Sequence, residues 1–358
     1  VTNNSGSAVL QPEQEMLNWG RLILDGVPYA DLVSARDRDP SVTWFEHWMQ
    51  TAANYERLGE TAESRGHTIS AGEYFVLGSL AAQYAQFLWF DDRRRAGQER
   101  KVELYRRAAP LLNPPADRFE VTVDGATVPG YVRTPSTGEG PFPTAVLLGG
   151  LESTKEESYQ FEQQLLARGI ATVTFDGPGQ GEMFPEVPLR GDYERYTSAV
   201  VDYAEKLPEI DSSRIAVVGR SLGGHYALRS AALDDRFIAC ISWGGFADMD
   251  SYDEETPMTK ESWKYVTASS TDEESRERVM TLMDVRSELH KLRVPTYIQH
   301  GMHDEVPVSE VEVVKQLAVD APLTIVIEPD GDHCCHNLGP RPRIEMVDWL
   351  EEQLKPRS

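Results

Sequence analysis

Gly219-Arg220-Ser221-Leu222-Gly223 lies between two contrasting patterns. Ile215-Ala216-Val217-Val218 before it reads as a short buried parallel strand, and His225 to Ala232 after it reads as a helix. G-x-S-x-G in that setting is a nucleophile elbow, in which small neighbours allow a sharp, strained turn that lifts the serine hydroxyl above a sheet. Glycine and serine are common, so an ordinary glycine-rich strand-to-helix loop is the plain alternative. The elbow gains meaning only if its partners occur in the right places.

A serine hydroxyl is a poor nucleophile until a base removes its proton, and the base needs a third group to orient it. In sheet-and-helix hydrolases the order along the chain is Ser, acid, His. His300-Gly301-Met302-His303-Asp304-Glu305-Val306-Pro307 directly follows a strand pattern ending at Gln299. Asp304 is the expected acid, and Glu305 is the neighbour it could be confused with. Gly331-Asp332-His333 follows the strand pattern ending at Ile327, which makes His333 the expected base and His336 its rival. His300 and His303 are expected to steady their loop. An oxyanion hole needs backbone N–H groups aimed at the developing alkoxide. One is expected from Leu222, the other from Leu151 in Gly149-Gly150-Leu151, where glycine lets the backbone come close. That Gly-Gly read alone is a tight turn. Asp176-Gly177-Pro178-Gly179-Gln180-Gly181 lacks both the Lys-Ser/Thr ending of a phosphate loop and dinucleotide spacing, so it is expected as a turn at the edge of the site.

The elements that must position these groups follow from periodicity. Glu13 to about Leu112 is helical in pattern, after a loose tail over residues 1–12. Met16, Leu17, Leu22 and Ile23 mark a first helix; Trp44, Phe45, Trp48 and Met49 mark a second. Ser70-Ala71-Gly72-Glu73 reads as a capping box opening a long apolar helix through Leu77, Leu80, Tyr84, Phe87 and Leu88. Asp91 to Arg95 reads as a polar joint, and a last helix through Val102, Leu104 and Tyr105 ends at Pro114-Pro115. From Phe119 the character changes to a hairpin turning at Asp124-Gly125, then strands alternating with helices. The expectation is an α/β-hydrolase fold with a helical N-terminal domain over 1–115 and a hydrolase domain over 116–358. An acidic, helical stretch at about 246–290 interrupts the alternation and reads as a helical cap insertion over the strand ends.

With 358 residues, 40% hydrophobic and 26% charged, the chain has the composition of a soluble globular protein with a large core. A net charge of −23 speaks against nucleic acid and anionic membrane as partners and favours a cationic small molecule, although solubility alone also explains it. Cys240, Cys334 and Cys335 form no disulfide framework and no zinc spacing, so neither metal nor cofactor is expected. Val1 to Pro12 lacks the basic-then-apolar order of a secretory leader, and no window is apolar over a membrane-spanning length. A cytoplasmic location is expected.

Several stretches carry a family likeness. They are Asn18-Trp19-Gly20-Arg21-Leu22-Ile23-Leu24-Asp25-Gly26, Ala82 to Phe90, Gly149-Gly150-Leu151-Glu152-Ser153-Thr154-Lys155-Glu156-Glu157, Phe175 to Phe184, Gly219 to Gly224, and Gly331 to Asn337. Together they resemble the carbon–carbon hydrolases of bacterial nicotine breakdown over nearly the whole chain. More distantly they resemble fungal hydrolases that shorten polyketide chains in pigment pathways. The resemblance implies hydrolysis of a C–C bond in an aryl ketone, 2,6-dihydroxypseudooxynicotine, giving 2,6-dihydroxypyridine and 4-methylaminobutanoate. It implies the triad Ser221, Asp304 and His333, a homodimer, and an acidic substrate-binding residue within Asp253-Glu254-Glu255-Thr256-Pro257, for which Glu255 is the choice. A carboxylesterase or polyketide-shortening acyl hydrolase would use the same triad. A non-catalytic binding protein that kept the fold would have no need of it.

Overall fold

The computed structural model describes residues 19–87 and 89–356. The expected tail over 1–12, together with Met16, Leu17 and Leu88, lies outside the described residues. From Trp19 to Ala108 the described chain is helical: α1 (Trp19–Leu24), α2 (Tyr29–Arg36), α3 (Trp44–Ser64), α4 (Thr68–Gln86) and α5 (Asp92–Ala108). Trp48, Phe75, Tyr84 and Tyr105 fill the core between them, joined by Tyr131 from the following sheet. Trp44 donates its indole N–H to the Tyr84 carbonyl at 2.8 Å, which gives a buried polar edge its partner.

Three local expectations are corrected. The capping box is not at Ser70: α4 starts at Thr68 behind His67, which makes no side-chain cap. Helix α3 ends in a Schellman turn, with His67 N–H on the Ala62 carbonyl and Gly66 N–H on the Glu63 carbonyl, so the next helix begins almost at once. The capping box of this region is Thr43 with Glu46, at the start of α3. Asp91 to Arg95 is not a joint either, since Asp91 caps α5 by accepting from the Arg93 N–H at 2.9 Å. Ile23 faces outward at 46% exposure, while its neighbour Leu22 is buried.

The hairpin of β1 (Asp117–Val123) and β2 (Ala126–Arg133) turns at Asp124 and Gly125, with φ of 51° and 83°. Two consecutive positive φ angles are what a tight two-residue hairpin requires. The chain then runs β3 (Phe142–Leu148), α6 (Tyr159–Leu166), β4 (Ala171–Phe175), α7 (Glu194–Ala204), β5 (Ile210–Arg220), α8 (Leu222–Leu233) and β6 (Phe237–Trp243). Helices α9 (Pro257–Val266) and α10 (Asp272–Leu282) interrupt it before β7 (Thr296–Gly301), α11 (Ser309–Leu317), β8 (Leu323–Glu328) and α12 (Arg341–Gln353).

The strands form one sheet in the order β1-β2-β4-β3-β5-β6-β7-β8. β2 pairs antiparallel with β1 and β4, and every pairing from β4 to β8 is parallel. This is the α/β-hydrolase fold. Alternate strand residues point to opposite faces. Val146, Val173 and Val217 pack with Val200, Val201 and Tyr226 of α7 and α8, whereas Leu147, Ala216 and Val218 pack with Phe161, Leu165 and Val347 of α6 and α12. Trp263, Val266, Val279 and Met283 anchor α9 and α10 in the first of these cores. Among the described residues no helix is long and apolar enough to cross a membrane.

Candidate active site

Ser221 sits between the end of β5 and the start of α8 with φ 58° and ψ −123°. That backbone conformation costs a non-glycine residue on the order of 1–3 kcal/mol, so the surroundings must hold it. The Ser221 N–H donates to the Trp243 carbonyl at 2.7 Å, and its carbonyl accepts from Gly224 N–H at 2.7 Å. The glycines of the motif are steric necessities. A Cβ on Gly219 would lie 1.8 Å from the Gly223 carbonyl oxygen, and one on Gly223 would lie 2.1 Å from that of Leu148.

His333 and Asp304 reach Ser221 from the ends of β8 and β7. His333 Nε2 is 2.9 Å from Ser221 Oγ, and His333 Nδ1 is 2.6 Å from Asp304 Oδ1. The Asp304 side chain is fully buried and also accepts from Val306 N–H at 2.9 Å and Cys334 N–H at 3.2 Å. The His333 side chain keeps 26% exposure, so it is open to the cavity whereas Asp304 is not. Burial disfavours the imidazolium, but the Asp304 carboxylate overrides it and holds the His333 pKa well above its ordinary value. The His333 loop is folded tightly. Cys334 and Cys335 have φ of 57° and 54°, the Cys334 carbonyl accepts from Trp243 Nε1 at 2.6 Å, and Asp332 and Asn337 exchange backbone-to-side-chain hydrogen bonds.

The rivals fall away on geometry. Glu305 lines the cavity but makes no hydrogen bond to His333. His336 lies edge-on to Trp243, 5.5 Å between ring centres, and bonds neither Ser221 nor Asp304. His300 does steady its loop, through Nε2 and the Val306 carbonyl at 2.8 Å, whereas His303 faces the cavity.

Leu222 and Leu151 both border the cavity above Ser221, and no acceptor among the described residues takes either N–H. A Cβ on Gly150 would lie 3.2 Å from Ser221 Cβ, a tight contact, so glycine eases the close approach of this loop to the elbow. The Asp176–Gly181 turn supports that loop from behind. Gln180 Nε2 donates to the Gly149 and Gly150 carbonyls at 2.9 and 3.0 Å, and Asp176 binds the Lys155 ammonium at 2.6 Å. Glu156, Asp176 and Glu182 stand at metal-ligand spacing, but the Lys155 ammonium sits among them at 2.6, 2.6 and 2.7 Å. The charge a cation would bring is supplied there by the chain.

The cavity over Ser221 measures about 270 Å³ and is roofed by Met258, Thr259 and Trp263 of α9. That is just under the usual range of about 300–1,000 Å³ for small-molecule sites. Glu255 enters from the turn before α9, and its Oε2 is buried without a hydrogen-bond partner. Burial, helped by the neighbouring Glu305 and Glu152 carboxylates, pushes the Glu255 pKa up to about 7.

Sequence reasoning missed Arg21, Ser153 and Arg220 as cavity residues. Arg220 Nη1 donates to Asp25 at 3.0 and 3.1 Å, and its Nη2 to Ser153 Oγ at 3.0 Å and to Glu157. Arg21 donates to Glu157 at 3.3 Å, and Arg343 to Asp25 at 2.9 Å. The available signal was a single charge within an otherwise uncharged stretch, Arg21 in Trp19 to Leu24 and Arg220 in Val217 to Gly223, where burial demands a partner.

The model of the family described as Esterase FrsA-like matches residues 39–315. The protein named 2,6-dihydropseudooxynicotine hydrolase, of Paenarthrobacter nicotinovorans, is 59% identical over 345 residues, covering 96% of this chain and 94% of that one. Hydrolase ffsE of Aspergillus flavipes is 35% identical over 248 residues, covering 61% of this chain and 55% of its own. The crystal structure of the 2,6-dihydroxy-pseudo-oxynicotine hydrolase superposes with a TM-score of 0.92 at 59% identity, covering 94% of this chain and 95% of that one.

Proposed function

The chain belongs to the FrsA-like esterase family, and from that premise we propose that it hydrolyses a carbon–carbon bond in an aryl ketone. The substrate in this reading is 2,6-dihydroxypseudooxynicotine, and the products are 2,6-dihydroxypyridine and 4-methylaminobutanoate. The observation that carries it is likeness to the Paenarthrobacter nicotinovorans hydrolase over almost the whole of both chains, helical N-terminal region included.

Ser221 Oγ attacks the ketone carbon while His333 Nε2 takes its proton, and Asp304 steadies the imidazolium. The N–H groups of Leu222 and Leu151 hold the oxyanion. Collapse breaks the bond to the ring carbon, which leaves with a proton from His333 or through tautomerisation of the ring hydroxyls. Water activated by His333 then releases the acyl chain from Ser221. Glu255 supplies a carboxylate for the methylammonium of the acyl chain, and its lack of a protein partner supports that role. A cavity of about 270 Å³ suits a small molecule rather than a nucleic acid or a membrane surface. To the same reading belong a homodimer, carried over from the resemblance, and a cytoplasmic location, which the three unpaired thiols favour.

A second reading is a carboxylesterase, favoured by the family's description as esterases. Product identification after incubation with the ketone and with a panel of aryl esters separates the two. Release of 2,6-dihydroxypyridine supports the first, and ester cleavage with an untouched ketone supports the second.

A further inference from the structure

The cavity wall carries two groups of charge. Glu152, Glu255, Glu305 and Asp332 belong to one; Arg21, Arg220 and His336 belong to the other. The second group has no role in the triad chemistry. Among the described residues, the carboxylates that Arg21, Arg220 and Arg343 pair with are Asp25 and Glu157, and Glu152, which also acts on Arg21, is shared with Arg94. His336 adds no further positive charge, because burial first and then Arg220 and Arg343 keep its pKa well below the ordinary value. Within that described cluster the four guanidiniums outnumber the three carboxylates by one, and a charge held away from water is costly unless a ligand offsets it.

Two buried polar atoms there also lack partners. Arg21 Nε and His336 Nδ1 make no hydrogen bond among the described residues, Arg21 Nε standing 3.7 Å from Asp25 Oδ2, and both side chains line the cavity. The group adjoins the nucleophile. A Cβ at Gly150 would stand 3.2 Å from Ser221 Cβ and 3.4 Å from Ser153 Oγ, the hydroxyl that Arg220 and Arg21 both bind.

We propose that Arg21 and His336, with Arg220 holding them in charge balance, form an anion-binding subsite for the oxygen-bearing ring of the substrate and for that ring as it leaves. The inference rests on the carbon–carbon hydrolase reading. A ring hydroxyl proton moves to the ring carbon that bears the side chain, leaving a ring carbonyl. Ser221 Oγ bonds to the side-chain ketone carbon and His333 takes the Oγ proton. When the C–C bond breaks, its electron pair forms the ring enolate, with the charge on the ring oxygen facing Arg21. The proton held by His333 passes to that oxygen. The guanidinium thus lowers the barrier at the step in which carbon is the leaving group. It also gives the helical region a part in the chemistry, because Arg21 is on α1.

The test measures binding of the two products separately, to wild type and to Arg21→Gln and Arg21→Lys. Arg21→Gln should weaken 2,6-dihydroxypyridine by about tenfold or more, the loss of one charge-assisted hydrogen bond, and Arg21→Lys by less. Binding of 4-methylaminobutanoate should stay within about twofold, since the methylammonium lies elsewhere. Unchanged dihydroxypyridine binding, or equal loss of both products, overturns the proposal. A titration of wild type needs no variant: the bound ring should absorb as its anion at a pH where the free compound is neutral, and a neutral-ring spectrum overturns the subsite. If the ketone is not cleaved at all, the parent reading fails. The spectral titration then still reports on the anion subsite separately.

Discussion

Arg220, the residue before Ser221, donates from Nη1 to both carboxylate oxygens of Asp25, at 3.0 and 3.1 Å. The bond ties α1 to the elbow. Asp25 is buried, and Arg220 and then Arg343 overcome the cost of burial to hold its carboxyl well below the usual range. Asp25→Ala strands those guanidiniums in a dry site. The expected loss is about 3–5 kcal/mol of stability, read as a lower denaturation midpoint, together with reduced turnover. The carboxylate's contribution is fully present above its unfolded pKa and is lost only in strong acid, so the gap between wild type and variant should be constant from pH 6 to 8.

Asp304→Asn keeps the shape of the acid but leaves His333 in the wrong tautomer and without its counter-charge. kcat should fall by about 10⁴-fold. His333 must be neutral to act as base, so activity rises with pH through its folded pKa. That value is raised by Asp304, and the acid limb of the residual activity should move to lower pH in the variant. A pH–rate profile of both proteins checks this.

Glu255 gives a second titration, with the opposite origin. Its pKa stands near 7 because the charged form is buried beside other carboxylates. Between the unfolded value and 7 the folded state binds the extra proton, so ionised Glu255 costs stability, fully above pH 7 and not at all below the unfolded pKa. Glu255→Gln should therefore raise Tm at pH 8 and leave it unchanged at pH 4. In binding the effect reverses: wild type should lose affinity for the methylammonium substrate as pH falls through about 7, and the variant should show weak binding without that limb.

Gly223→Ala tests the elbow as a packing device. Its Cβ would lie 2.1 Å from the Leu148 carbonyl oxygen, in backbone that cannot yield without moving β3. The expected result is a loss of more than about 2 kcal/mol in stability and no measurable turnover, read by melting and by assay.

The parts legible in the sequence were those set by local periodicity and by chain order. β5, Ser221 and α8 follow from an apolar run, a G-x-S-x-G and a helix pattern, and Asp304 and His333 from their places after late strands. Side-chain partners decided what local pattern could not. Thr43-Trp44-Phe45-Glu46 carried the same capping signature as Ser70-Ala71-Gly72-Glu73, and only the Schellman turn at Gly66 shows why the second is not used. Arg21 and Arg220 read as ordinary charges until the fold brings residues 21, 25, 157, 220 and 343 together. Long-range charge pairing leaves no period in a single sequence.

If Ser221 drives cleavage of the ketone, removing its hydroxyl must stop product release. The most direct measurement is the rate of 2,6-dihydroxypyridine release from 2,6-dihydroxypseudooxynicotine by wild type and by Ser221→Ala. Wild type should give both products, and the variant a rate reduced by about 10³-fold or more. Equal rates in the two proteins, or an intact ketone beside rapidly cleaved esters, would contradict cleavage of the ketone by Ser221.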